Sequence, residues 1–357
     1  MQPLQLPLFS SSDTRFDYPF PPTRYQGSKQ KWVGWIWENT QHLEFTTVLD
    51  VFGGTGAVSH LFKRVGKQVT YSDVLAFNHE IGRALIENHD QTLATPMIEV
   101  LLDTDDPLAY PTFIEQTFPN IYYTDAENQW LDRMVYRIDH LLANPYQQAI
   151  ARFALFQACI IKRPYNLFHR ANLYMRTAPV ERTFGNKTTW DTPFPSHFKT
   201  FAQQANLAVF DNRQPNTAIQ CDALETPTGF DLVYLDPPYI NHHGVGVDYR
   251  DFYHFLEGMM NYSQWNQQVD YESKHRRLKP QKSAWNDPHT IIEVFESLIE
   301  RHHKSILIVS YRDDGIPSHH DLVKVLRRFK KEVYLASQPT QYVLSQKRSH
   351  ELLLIAP

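Results

Sequence analysis

Apolar positions along the chain gather into seven short runs that predict β-strands: Thr46–Val51, Gln68–Tyr71, Ala218–Cys221, Asp231–Leu235, Ser305–Ser310, Glu332–Ala336 and Glu351–Ile355. Most are separated by segments with a helical repeat or by long insertions. The last two lie close together with no convincing helix between them, which predicts an antiparallel C-terminal hairpin on an otherwise parallel sheet. Between the second and third runs lie well over a hundred residues, too many for a loop in a compact domain. Within that segment Trp130, Leu131, Met134, Val135, Ile138, Leu141 and Leu142 recur at helical spacing, as do Ile150, Phe153, Ala154, Phe156 and Ile160, predicting two amphipathic helices that pack together. The expected organisation is α/β: a flexible tail over 1–20, a seven-stranded, mainly parallel sheet from 21–88 and 216–357, and an inserted, mostly helical region over 89–215.

Composition adds bounds. A chain of 357 residues that is 42% apolar buries a full core. A formal net charge of −4 argues against nonspecific coating of nucleic acid but leaves room for a local cationic patch. Cys159 and Cys221 sit in apolar contexts without metal-ligand spacing, which points to core thiols in a reducing cytosol. No charged-then-apolar leader and no apolar run of about eighteen residues appears, so a cytoplasmic location without membrane insertion is expected. The pairs His242-His243, His302-His303 and His319-His320 are sequence neighbours that point apart, so no metal is expected.

The densest chemistry lies at Asp236-Pro237-Pro238-Tyr239, directly after the run Leu232–Leu235. A carboxylate and a proline-fixed carbonyl at a strand's C-terminal end are two acceptors for one exocyclic amino group, and Tyr239 offers a ring for stacking on a flat base. Two acceptors on an amino group draw its nitrogen away from planarity and expose the lone pair to an electrophile. Upstream, Thr47–Val51 runs into Phe52-Gly53-Gly54-Thr55-Gly56, a glycine-rich turn into a helical pattern from Ala57 to Val65. Asp73 follows at about the twenty-residue interval of a carboxylate that binds ribose hydroxyls. That is a nucleoside-cofactor site. Its spacing departs from the dinucleotide fingerprint, and S-adenosylmethionine fits both the loop and the Asp-Pro-Pro-Tyr strand. Asp222, after the third strand, either approaches the cofactor's adenine or is a surface turn residue. Farther upstream, Ser28 in Arg24-Tyr25-Gln26-Gly27-Ser28-Lys29 is placed to cap a helix through Trp32, Trp35 and Ile36.

These elements, in this order, resemble the Dam-like adenine-specific DNA methyltransferases, which carry a G-x-K element, F-x-G-x-G, a strand-end acidic residue, an inserted target-recognition region and then D-P-P-Y. The resemblance implies a Rossmann-like methyltransferase fold and S-adenosylmethionine as cofactor. It implies cofactor contacts at Tyr25, Lys29, Asp73 and Asp236, with Phe52, Gly53, Gly54 and Gly56 lining the same site. It also implies transfer of a methyl group to the amino nitrogen of an adenine in double-stranded DNA, by a solitary enzyme or one partnered with a restriction enzyme. Tyr165-Asn166, Phe184-Gly185 and Lys187 stand where such proteins carry a Y-N…F-G-x-x-K stretch. Added sequence around 89–130 and 240–290 departs from the simplest members, so their DNA site does not transfer. Two rivals stay open: an amino-methyltransferase acting on cytosine, RNA or a protein amide, and a non-catalytic DNA-binding protein with this fold.

For DNA the strongest surface is Lys162 to Trp190, where Arg163, Arg170, Arg176 and Lys187 are the named contacts; a solvated loop is the plain alternative. The run Lys274, Arg276, Arg277, Lys279, Lys282 is placed to clamp the DNA backbone opposite that surface, but with only charge in its favour a solvated loop is the slightly preferred reading. At the N-terminus, Gln5-Leu6-Pro7-Leu8-Phe9 resembles the Q-L-x-L-F peptide that docks bacterial replication and repair proteins on the sliding clamp, with packing back onto the domain as the plainer reading.

Overall fold

The computed structural model describes residues 18–103, 109–179, 187–341 and 348–357; the Gln5–Phe9 motif and Phe184-Gly185 lie outside them. The strands are β1 (Thr47–Asp50), β2 (Gln68–Asp73), β3 (Thr217–Gln220), β4 (Leu232–Leu235), β5 (Ile306–Arg312), β6 (Tyr334–Gln341) and β7 (Arg348–Ala356). They form one sheet in the order β3-β2-β1-β4-β5-β7-β6. The first five are parallel, and β7 enters antiparallel to both β5 and β6. All seven sequence runs are therefore strands of this sheet, and the hairpin is where the pattern put it.

Alternation within the strands divides the core. Val48, Leu232, Tyr234, Ile308 and Leu353 enter one buried cluster, while their neighbours Leu49, Val233, Leu235, Val309 and Leu354 enter another. A strand covered on both faces needs both sets apolar. On the first face lie α1 (Val33–Thr40), α2 (Ala57–Arg64) and α3 (Ala76–Gly82). Ser28 does not cap α1, which begins after a short turn at Gln30–Trp32.

The inserted region supplies α4 (Asp125–Leu141), α5 (Pro145–Ile161) and α6 (Phe194–Ala208). Thr124 and Glu127 cap α4 reciprocally, and the Asn144 side chain receives the N–H groups of Tyr146 and Gln147 ahead of α5. Helix α5 is buried almost all round, packed against α3, α4 and α6, so the insert shares one continuous core with the sheet. After β4 come α7 (His254–Met260), then α8 (Ile291–Arg301) and α9 (His319–Phe329), the last two covering the opposite face. Tyr18 stacks on Phe210 at 4.4 Å between ring centroids and Phe20 meets the His60 ring edge-on, so the chain is docked before residue 21. No helix among the described residues is long and apolar enough to cross a membrane.

Candidate active site

The order of the sheet reverses between β1 and β4, and ligands of open α/β sheets bind outside the carboxyl ends of the strands at such a point. A cleft of about 690 Å³ opens there, within the roughly 300–1,000 Å³ typical of small-molecule sites. Tyr71 of β2 is fully buried and packs against the glycine turn that lines it. A Cβ on Gly53 would lie 2.1 Å from the Tyr71 ring, and one on Gly82 2.4 Å from it. The Tyr71 hydroxyl donates to the carbonyls of Gly54 (2.8 Å) and Asn78 (3.0 Å). Gly54 takes a φ of +50°, a conformation suited to glycine, and turns its N–H onto Asp73 Oδ2 at 3.0 Å. Asp73 also receives the Leu75 N–H and the Asn78 amide. Burial raises its carboxyl above the ordinary range, against the pull of those hydrogen bonds.

Asp50 closes β1 and lines the same cleft. One of its oxygens, Oδ2, accepts the Ser59 hydroxyl at 2.7 Å, while Oδ1 is buried without a hydrogen-bond partner. Burial pushes this carboxyl up to about 7, with the Ser59 hydrogen bond opposing and the nearby Asp236 and Asp73 adding to the rise.

At the end of β4 the Asp236 carboxylate meets a buried ammonium. Lys29 Nζ lies 2.8 Å from Asp236 Oδ1, 3.0 Å from Glu351 Oε1 and 2.5 Å from the Tyr239 hydroxyl, which itself donates to Asp236 Oδ1 at 2.7 Å. Three acceptors take up the three N–H groups of Lys29. Burial works against its charge, but Asp236 and Glu351 override it and hold its pKa well above the ordinary value. Burial likewise raises the Asp236 carboxyl, with Lys29 pulling back. Both donors converge on Oδ1, so Asp236 Oδ2 has no hydrogen-bond partner among the described residues. Tyr239 departs from expectation: its ring packs edge-on against Tyr311 and its hydroxyl faces Asp236, so the ring is not a wall of the cleft. Pro238 lines the cleft and Pro237, joined to it, is buried.

The rim is aromatic and cationic. Tyr25, Tyr249 and Tyr253 lie nearly parallel, with Tyr25 4.5 Å from Tyr253 and 5.6 Å from Tyr249. Phe52 lines the cleft and packs edge-on to Trp285, whose segment Gln281–Asn286 folds back over the opening. Exposed Asp222 borders the far end, with Oδ1 capping the Leu224 N–H. Gly56 (φ +77°) starts α2 behind the loop instead of lining the cleft.

The DNA-contact expectations divide. Arg163 is 1% exposed and spends its guanidinium on the carbonyls of Leu167, Tyr122 and Arg170 and on the Asn172 side chain, with burial lowering its pKa to about 10. Arg176 is buried against the Tyr122 carbonyl and pairs with Glu127, which also holds Lys162. These two arginines stitch the insert together and are not available to phosphates. Arg170 and Lys187 are exposed, Lys187 beside Asp191 at 3.0 Å. Nearby, exposed Tyr165 and half-buried Asn166 both hold left-handed backbone (φ 63° and 60°). That loop reaches the cleft rim: the Phe168 N–H donates to the Phe252 carbonyl, two residues beyond Arg250, which lines the cleft and donates to the Lys279 carbonyl. Lys282 lines the opening itself, so the second basic run is nearer the site than Arg163 or Arg176.

Sequence reasoning missed Asp50, Tyr249 and Glu351. Asp50 carried a legible signal, an acidic residue ending an apolar strand just before the glycines. Glu351 carried none, because it reads as the polar start of a closing strand.

A parallel sheet whose last strand enters reversed between the fifth and sixth is the Rossmann-like methyltransferase fold, and the cleft just described opens at the carboxyl ends of its parallel strands. The chain belongs to the family described as D12 class N6 adenine-specific DNA methyltransferase, whose model matches residues 25–303. It is 26% identical over 340 residues to the type II methyltransferase M2.HphI of Haemophilus parahaemolyticus, covering 93% of this chain and 95% of that protein. The type II methyltransferase M.NlaIII of Neisseria lactamica is 23% identical over 318 residues, covering 86% and 88%. A solved magnesium protoporphyrin IX methyltransferase from Synechocystis PCC 6803 with bound SAM covers 92% of this chain and 77% of its own at 10% identity and a TM-score of 0.31, too distant to inform the site.

Proposed function

We propose that this chain transfers the methyl group of S-adenosylmethionine to the exocyclic amino nitrogen of an adenine turned out of double-stranded DNA. The observation that carries this reading is Asp236: its Oδ1 is fixed by Lys29 and Tyr239, which leaves Oδ2 as an acceptor at the mouth of the cofactor cleft. An amino group placed between Oδ2 and the Pro237 carbonyl presents its lone pair instead of its hydrogens. The cleft residues suit the cofactor. The unpartnered Asp50 Oδ1 matches a cationic α-amino group, Asp73 Oδ1 keeps a lone pair for a ribose hydroxyl, the Gly53-Gly54 turn gives close backbone approach, and Asp222 stands ready for an adenine amine. The bound cofactor supplies an electrophilic methyl group, so the protein's share is orientation and charge.

An adenine amino group faces its partner base in a duplex, so the base must leave the stack, at roughly a few kcal/mol. Tyr25 and Tyr249 line the cleft, and stacking of the base on such a ring, worth about 1–3 kcal/mol, would offset part of that cost. The duplex would lie across Tyr165, Arg170, Tyr174 and Lys187 on one side and Lys274 and Lys282 on the other, with Arg250 between them. Duplex DNA incubated with methyl-labelled cofactor should yield labelled N6-methyladenine on nucleoside analysis. Label in cytosine, or in protein or RNA only, would replace this reading.

A further inference from the structure

Glu351 is 3% exposed, lies on the reversed strand β7 and, among the described residues, meets the site through Lys29. Burying a carboxylate is costly unless it is paired, so its partners define what it does. Its Oε1 accepts Lys29 Nζ at 3.0 Å and the Ser310 hydroxyl at 3.1 Å. Arg312, opposite it in the ladder, is engaged in two hydrogen bonds with Asp314. Lys29 is therefore a cation shared between two carboxylates. With Asp236 alone, the ammonium would form a neutral pair with the acceptor that the amino group needs. With Glu351 present the three groups carry one net negative charge.

We propose that Glu351 is a positioning residue for methyl transfer: by sharing Lys29 it keeps Asp236 oriented while leaving the site net anionic. The inference rests on the function proposed above. As the amino nitrogen forms its bond to the methyl carbon, the carbon–sulfur bond breaks, sulfur leaves neutral and the positive charge arrives on nitrogen. That nitrogen then gives up a proton, for which Asp236 Oδ2 is the acceptor in reach. Glu351 opposes the withdrawal of that acceptor's charge by Lys29 without touching the substrate.

The test compares the full chain with Glu351→Gln, Lys29→Met and the double variant, reading kcat, KM for DNA, cofactor affinity and Tm. Glu351→Gln should lower kcat about tenfold or more while KM and cofactor affinity stay within about twofold, because the loss falls on charge developed in the transition state. Lys29→Met leaves two buried carboxylates facing each other and should lower both kcat and Tm. Adding Glu351→Gln to it should raise Tm and cost no further kcat, since Glu351 acts through Lys29. Full kcat in Glu351→Gln overturns the proposal, as does a double variant slower than Lys29→Met by the full single-variant factor. If Glu351→Gln does not fold, the step from Lys29→Met to the double variant decides alone. Wild-type chain that methylates no adenine overturns the proposal together with its underlying function, whereas an active wild type with an equally active Glu351→Gln overturns only the role of Glu351.

Discussion

Two of the regions that bury cations do so with opposite partners. In the insert, Arg163 faces three backbone carbonyls and the neutral Asn172 side chain, while Arg176 and Lys162 share carbonyls and Glu127. Most of the donors there meet backbone carbonyls inside the insert. In the cleft, Lys29 faces two carboxylates and a tyrosine hydroxyl, and one oxygen beside it, Asp236 Oδ2, is left open. A buried cation ringed by carbonyls completes the structure. One ringed by acids, with an acceptor spare, suits the methyl transfer proposed above.

The sharpest break would come at Asp236. Asp236→Ala should reduce methyl transfer by roughly a thousandfold or more with little change in Tm, because the residue positions the amine and sits outside the sheet. Tyr239→Phe should lose most of what Tyr239→Ala loses, since the hydroxyl is the part engaged with Asp236 and Lys29. A mild Tyr239→Phe with a severe Tyr239→Ala would return the ring to a stacking role.

Next comes the insert. Arg163→Ala should destabilise the fold by about 3–5 kcal/mol in denaturant titration, through the carbonyls it strands. The salt dependence of DNA binding in the folded fraction should stay as it was. A normal stability together with a lowered salt slope would move Arg163 back to the DNA surface.

Asp50 sharpens the cleft side by pH. Its carboxyl is raised to about 7 by burial, so it is protonated below that pH and anionic above it. Cofactor affinity should therefore fall as pH drops below about 7. Asp50→Asn should flatten that profile and weaken binding at pH 8 by about 1.5–3 kcal/mol, the range for a hydrogen bond to a charged group. Calorimetric titration across pH 6–8 (about one pH unit on either side of 7) reads both effects. A pH-independent affinity in the wild type would detach Asp50 from the ligand.

The smallest effect belongs to the exposed cations. Replacing Lys274 and Lys282 together with alanine should reduce the slope of log affinity against log salt by about 2 and weaken all duplexes alike. An unchanged slope would restore the solvated-loop reading of that run.

This contrast also explains what the sequence could and could not disclose. Strands and insert helices were legible because burial on one or two faces writes a period into neighbouring residues, as at Val48-Leu49 or along Phe153–Ile160. Asp73 and Asp236 were legible because strand ends carry them into one crevice. The fate of Arg163 was not, since a cation bound to carbonyls has the same local signature as one facing solvent. Nor was Glu351, whose meaning depends on a lysine 322 positions away in sequence, calculated as 351 minus 29.

The packing beneath the Gly53-Gly54 turn has a consequence for how this chain tolerates change. Gly53, Tyr71 and Gly82 compete for a single volume, since the ring fills the space that a Cβ on either glycine would need. None of the three can drift independently. A methyl group at position 53 or 82 becomes admissible only once the ring at 71 has shrunk, and a smaller residue there forfeits the hydroxyl that anchors the Gly54 and Asn78 carbonyls. The three positions should thus be inherited as a unit, and recombining loop and helix from relatives with different solutions should fail unless the ring travels with them.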